Sequence, residues 1–124
     1  MITRFRVWLP DVQKMLRVKA LVYEEEKTRC ICGYAYDFYL EDEDATIMQS
    51  TGLFDKAGQE IFEGDILGTK EGLLNGFVEY REDLGMWTNN LIRYNNFERL
   101  CNVASNREII GNVYQNPELL EVTE

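Results

Sequence analysis

Between Gln49 and Leu67 the chain reads Gln-Ser-Thr-Gly-Leu-Phe-Asp-Lys-Ala-Gly-Gln-Glu-Ile-Phe-Glu-Gly-Asp-Ile-Leu, with three glycines and two aspartates set between short apolar runs. That punctuation dictates short strands joined by tight turns. Asp55-Lys56-Ala57-Gly58 reads as a type I turn closed by a glycine in the left-handed region, which forms a hairpin bulge. The Asp55 carboxylate, at the first turn position, is placed to accept hydrogen bonds from amides ahead of it. Glu63-Gly64-Asp65 reads as a second turn, between Ile61-Phe62 and Ile66-Leu67. Thr51-Gly52 reads as a third reversal, with Leu53 and Phe54 as apolar anchors after it. Such a stretch is either a wound β corner holding two half-sheets or a ligand loop, because glycine lets a backbone approach a ligand closely. Turn chemistry alone accounts for every glycine, and the corner is the expectation.

The remaining chain fits a mainly β protein. Phe5, Val7 and Leu9 alternate with Arg4, Arg6 and Trp8, the pattern of a half-buried strand. Val12–Leu16 and Val18–Tyr23 read as further strands, with Glu24-Glu25-Glu26-Lys27 as a hairpin tip. Arg29–Leu40 reads as one long strand or two broken at Gly33, with Tyr34, Tyr36 and Phe38 on one face. Glu41-Asp42-Glu43-Asp44 lacks the ligand spacing of a calcium loop and reads as a solvated turn before a strand at 45–49. Asn75-Gly76 is a strong turn signal, Arg81–Gly85 a polar tip, and Leu91–Tyr94 another short strand. Phe97, Leu100 and Cys101 have helical spacing. Glu108–Tyr114 reads as the last strand, followed by a short C-terminal helix with Asn116 as N-cap and Pro117 at its first position. The expected layout is a single domain, residues 1–124, compact and multi-stranded, with two β lobes meeting near residue 50. The Gly64-Asp65 strand, a loop and a Gly76-x-Val78 strand resemble the opening of small SH3-like barrels. Such barrels host nucleic-acid, peptide and purely structural roles, so that likeness speaks to fold alone.

Composition narrows function by exclusion. There is no histidine, which removes the commonest general base, the commonest metal ligand and every Ser-His or Cys-His pair. With 13 basic against 22 acidic residues the net charge is -9, a field that repels nucleic acid. The three cysteines, Cys30, Cys32 and Cys101, are an odd count suited to a reducing compartment. Cys30 and Cys32 would share one strand face, and small buried hydrophobes describe them better than zinc ligands. The apolar runs are too short for a membrane span or a signal segment, so a cytoplasmic protein without membrane association is expected.

Three blocks carry a family likeness: Phe5-Arg6-Val7-Trp8 with Lys14-Met15; Met48-Gln49-Ser50-Thr51-Gly52-Leu53, Asp55-Lys56, Gly58, Glu60-Ile61 and Glu63-Gly64-Asp65-Ile66; and Ile110-Gly111-Asn112-Val113-Tyr114 with Asn116-Pro117-Glu118-Leu119-Leu120. In this order they resemble the YopX family, small proteins of phages and prophages of low-GC Gram-positive and other bacteria. Phe62 and Ser50 stand where that family often has tyrosine, and the segment between Tyr80 and Glu108 follows no family pattern. The resemblance implies a mainly β fold and a phage or prophage origin, and brings no activity. Its signature positions, Thr51, Gly52, Asp55, Gly58, Gly64, Asp65, Gly111, Asn112, Asn116 and Pro117, are read as structural turns. No catalytic, cofactor-binding or metal-binding residues are assigned.

The leading expectation is a protein-binding or self-assembling β module, a homo-oligomer or the partner of a host or phage protein, without enzymatic activity and without cofactor. The alternatives are an acidic decoy that mimics nucleic acid and occupies a host DNA-binding protein, an enzyme built on carboxylates such as Asp55, Glu63 or Asp65, and a nucleic-acid-binding SH3-like module.

Overall fold

A computed structural model describes residues 3–33 and 36–122. The described chain is mainly β and divides into two compact units, Met1–Gln49 and Ser50–Glu124.

The N-terminal unit begins with β1 (Phe5–Leu9) and β2 (Lys14–Arg17), an antiparallel hairpin in which Val7 faces Leu16. Next come β3 (Ala20–Tyr23), β4 (Thr28–Gly33) and β5 (Tyr36–Tyr39), an antiparallel meander. The Glu24–Lys27 tip is as expected, closed by the Glu24 amide donating to the Lys27 carbonyl. The 29–40 segment is two strands. Tyr36 and Phe38 pack against the same cluster, and Tyr34 lies outside the described residues. That cluster is built on Val7, Leu9 and Cys30, with Leu16, Leu21, Phe38 and Leu40 around them. Burial of each such aliphatic side chain contributes about 1.5–3 kcal/mol.

β6 (Thr46–Phe54) spans the boundary between the units. Its first half pairs with β1 and its second with β7 (Glu60–Phe62). Thr51-Gly52 is therefore no reversal. The left-handed Gly52 (φ 76°) lies where the β6–β7 register shifts between Ser50 and Phe54, so a bulge absorbs the glycine and the strand runs on.

The C-terminal unit is organised on a five-stranded sheet. β8 (Asp65–Gly68), β9 (Gly76–Arg81), β10 (Met86–Leu91) and β11 (Phe97–Arg99) form a meander, and β12 (Glu108–Asn112) returns beside β8. The resulting order, β11-β10-β9-β8-β12, sets the last strand against the first as an SH3-like lobe does, in a curled half-barrel. Ile61, Leu67, Val78, Leu100 and Ala104 form its core, with Leu53, Trp87 and Ile109 against them. Tyr80 and Trp87, directly opposite on β9 and β10, meet edge to face at 5.2 Å.

Four local readings are corrected here. Asn75-Gly76 is not the turn: the loop runs over residues 69–75, held by Asn75 Oδ1 accepting from the Thr69 amide, and Gly76 already lies in β9. Phe97–Arg99 is a strand, and only Leu100–Val103 (α1) is α-helical, because pairing of Phe97 with Asn90 overrides the helical spacing. Residues 92–94 are not a strand; pairing of β10 ends at Leu91. Asn116 precedes the 3-10 helix Pro117–Leu120 but does not cap it with its side chain. Its Oδ1 accepts from the Asn112 amide instead, at 3.1 Å.

Gly58 and Gly64 both adopt the predicted left-handed conformation, φ 83° and 87°. A β-branched residue there is strained whatever the free space, so Gly58→Val and Gly64→Val are each expected to cost about 2 kcal/mol in urea unfolding. Unchanged unfolding midpoints in both variants would contradict this account of the turns.

Candidate functional site

The signature residues of the middle and closing blocks, some fifty positions apart in sequence, are neighbours in the fold. Asp65 on β8 is the register partner of Asn112 on β12, and the Val113 amide donates to the Gly64 carbonyl. Asp55 is the knot between them. Its Oδ1 accepts from the Ala57 and Gln59 amides at 2.9 and 2.8 Å, and its Oδ2 accepts from the Ile109 amide of β12 at 3.0 Å. The Lys56 amide donates to the Arg107 carbonyl beside it. The 55–58 turn thereby covers backbone groups along the edge of β12 that would otherwise offer a pairing template. Asp55 is buried, and burial pushes its carboxyl up; the amides of Ile109, Gln59, Ala57 and Gly58 more than reverse this and hold it below the usual carboxylate range.

The other signature side chains are similarly engaged. Thr51 Oγ1 donates to the Ile61 carbonyl at 2.8 Å and accepts from the Leu53 amide. Asp65 Oδ2 accepts from the Phe62 amide at 2.8 Å, closing the Glu63-Gly64 turn. Asn112 Oδ1 accepts from the Tyr114 and Gln115 amides. Gly111 is required by close approach, since a Cβ there would stand 2.5 Å from Asn116 Oδ1. These contacts support the corner over the ligand loop.

The exposed chemistry lies elsewhere, partly in the segment between Tyr80 and Glu108 that follows no family pattern and partly in the loop before β9. The loop at 69–75 and the turn at 92–96 stand side by side, tied by the Ile92 amide donating to the Asn75 carbonyl at 3.0 Å. Tyr94, half exposed, is shared by two open clefts. One, about 450 Å³, is lined by Leu73, Leu74 and Tyr94 with Thr69, Lys70 and Glu71 at its rim. Leu73 and Leu74 are both exposed there. The other, about 500 Å³, lies against β9–β11 between Phe77, Phe97 and Tyr94, with Glu79, Arg81 and Asn90 as polar lining. Arg81 is fixed over the Phe97 ring at 4.9 Å while its guanidinium pairs with Asp83 at 2.7 Å, so its charge is already partnered. Sequence reasoning missed these residues. Leu73-Leu74 within a glycine-rich loop was the available signal, since a loop tip has no core to face.

Asn89 and Glu98, register partners next to the cleft-lining Asn90 and Phe97, alternate to the opposite face of the sheet and join a polar cluster. Arg107 Nη2 donates to Glu98 Oε2 at 2.7 Å and Asn89 Nδ2 donates to Glu98 Oε1 at 3.1 Å. Asn89 is fully buried and its Oδ1 has no hydrogen-bond donor; it rests against Gly76. Among the described residues no group of three or more His, Cys, Asp or Glu side chains is placed to hold a metal ion. Among them also, no helix is long and apolar enough to cross a membrane.

The sequence profile described as YopX protein matches residues 4–121. The chain belongs to the YopX family. No curated protein sequence matches it. Among solved structures, protein EF1440 from Enterococcus faecalis is similar at 26% identity, with a TM-score of 0.64 over 98% of this chain and 99% of that one. Protein yopX from Bacillus subtilis is similar in fold at 22% identity, with a TM-score of 0.63 over 98% of this chain and 100% of that one. These likenesses cover both units of this YopX-family chain and carry no named activity.

Proposed function

We propose that this YopX-family chain is a phage- or prophage-encoded protein-binding module, acting in the bacterial cytoplasm and using the Tyr94 clefts as its contact surface. The observation that carries this reading is the exposure of Leu73, Leu74 and Tyr94 around one open, apolar cleft. Large side chains gathered in that way are a feature of protein-interaction surfaces. A second copy of the chain is the first partner to test. An enzymatic role is the weaker reading: Asp55 and Asp65, the carboxylates most eligible for acid–base work, are buried and committed to backbone amides. The decoy reading is also weaker. Glu24 is paired with Arg29 at 3.2 Å and Asp42 with Lys27 at 2.8 Å, so the acidic runs are interrupted by cations rather than laid out as a phosphate-like ladder.

Light scattering after gel filtration tests the proposal. The full chain is expected to self-associate, and Leu73→Asp with Tyr94→Ser to return it to monomer with an unchanged circular dichroism spectrum. A wild-type monomer that also captures nothing from a host lysate would overturn it.

A further inference from the structure

β4 carries Cys30-Ile31-Cys32 into the apolar cluster of the N-terminal unit. Cys30 is fully buried and Cys32 half-buried, and their Sγ atoms stand 3.8 Å apart. Ile31 pairs with Asp37 and Gly33 with Tyr36, which leaves Cys32 as the extra residue of a bulge with no partner on β5. Bulges re-aim side chains, and two thiols in contact at such a point are a feature that neither the corner nor the Tyr94 clefts use.

We propose that Cys30 and Cys32 form a chelating dithiol that takes a soft, thiophilic centre, a divalent ion of the zinc and cadmium type, as a bis-thiolate. The first support is distance. Metal–sulfur bonds of about 2.3 Å at a tetrahedral angle separate two thiolates by about 3.8 Å, so ligation needs no movement of the strand. A disulfide fits this pair less well. Its sulfurs must close from 3.8 Å to about 2.05 Å, which requires the two side chains to move.

The second support is charge. Val7, Leu9 and Leu21 belong to the surrounding cluster, where a lone thiolate is costly. Two thiolates on a divalent ion are neutral together, which removes that penalty. On binding, each thiol releases its proton to solvent and two metal–sulfur bonds form. Water reaching the half-buried Cys32 side completes the coordination.

Cadmium titration of the reduced full chain is the test, followed by thiolate-to-cadmium charge-transfer absorption. Saturation at one ion per chain is expected, with Cys101→Ser unchanged and Cys32→Ala weakened at least about a hundredfold through loss of the chelate. Phenylarsine oxide provides a second readout by native intact mass: two S–H groups and the As=O group condense to two As–S bonds and one water. One adduct is expected on wild type and Cys101→Ser, and none on Cys32→Ala. Cys32→Ala leaves the buried Cys30 in place, so folding is preserved. Equal cadmium affinity in Cys32→Ala, or arsenical uptake only after denaturation, would overturn the proposal.

Discussion

Gly76→Ala is expected to destabilise the C-terminal unit by about 3 kcal/mol. Gly76 sits in β9 between two partners, Leu67 on β8 and Leu91 on β10. Its φ is not left-handed, so the demand for glycine comes from space alone. A Cβ would run into Asn89 Oδ1 and would stand 2.6 Å from the carbonyl oxygen of Asn90. The carbonyl belongs to β10, which is fixed by ladders on both sides, so it cannot step back. Moving Asn89 instead would loosen its 3.1 Å bond to Glu98 and disturb the Arg107 pair. Overpacking costs about 1–3 kcal/mol, and a disrupted buried hydrogen bond adds about 1–3 kcal/mol. Gly58→Ala is the internal control: no atom lies within 4 Å of a Cβ there, leaving only the left-handed strain. Thermal melts should show a drop of about 10 °C for Gly76→Ala and a clearly smaller one for Gly58→Ala. Equal drops would mean that the Asn89–Gly76 contact is not tight.

The second large effect belongs to Asp55→Asn, at about 2–3 kcal/mol at neutral pH. An asparagine can keep one oxygen on the Ala57 and Gln59 amides, but its amide nitrogen then confronts the Ile109 N–H, donor against donor. The unpaired amide lies at the β12 edge, so the seal between turn and strand opens. The same carboxylate gives a pH signature. Its folded-state pKa is depressed, so its stabilisation is present above the unfolded value of about 3.9 and is lost as pH falls through the folded value. Wild type and Asp55→Asn should therefore differ at pH 7 and converge on acidification below about pH 4. A constant difference down to pH 2, or none at pH 7, would remove Asp55 from this role.

Legibility in the sequence followed the range of the interaction. The Asp55–Gly58 turn was readable because its chemistry is local: a carboxylate, two amides and one left-handed glycine lie within five residues. The bond from Asp55 to Ile109 was not readable, since 54 residues separate its ends. Thr51-Gly52 and Asn75-Gly76 show the converse failure. Both have turn composition, yet Gly52 serves a bulge within β6 and Gly76 a close strand approach. Glycine reports that the backbone needs freedom or room; only its neighbours decide which. Phe97 and Leu100 likewise have helical spacing, and the ladder to β10 draws the first into a strand.

By itself the sequence determined the β class, the family and two of the three turns read in the central corner, because turn residues and alternation act over a few positions. Only the tertiary structure decided the rest. It set the closing block against the corner, gathered Leu73, Leu74 and Tyr94 around one cleft, and brought two thiols to 3.8 Å. Each of these depends on which strands pair and where a bulge falls. Pairing is settled by contacts between segments whose separation along the chain carries no local signal. Within Gln49 to Leu67 the turns at 55–58 and 63–64 are thus specified locally, while the role of Gly52 is set by pairing with β7 and what the first turn seals is fixed by β12, half the chain away.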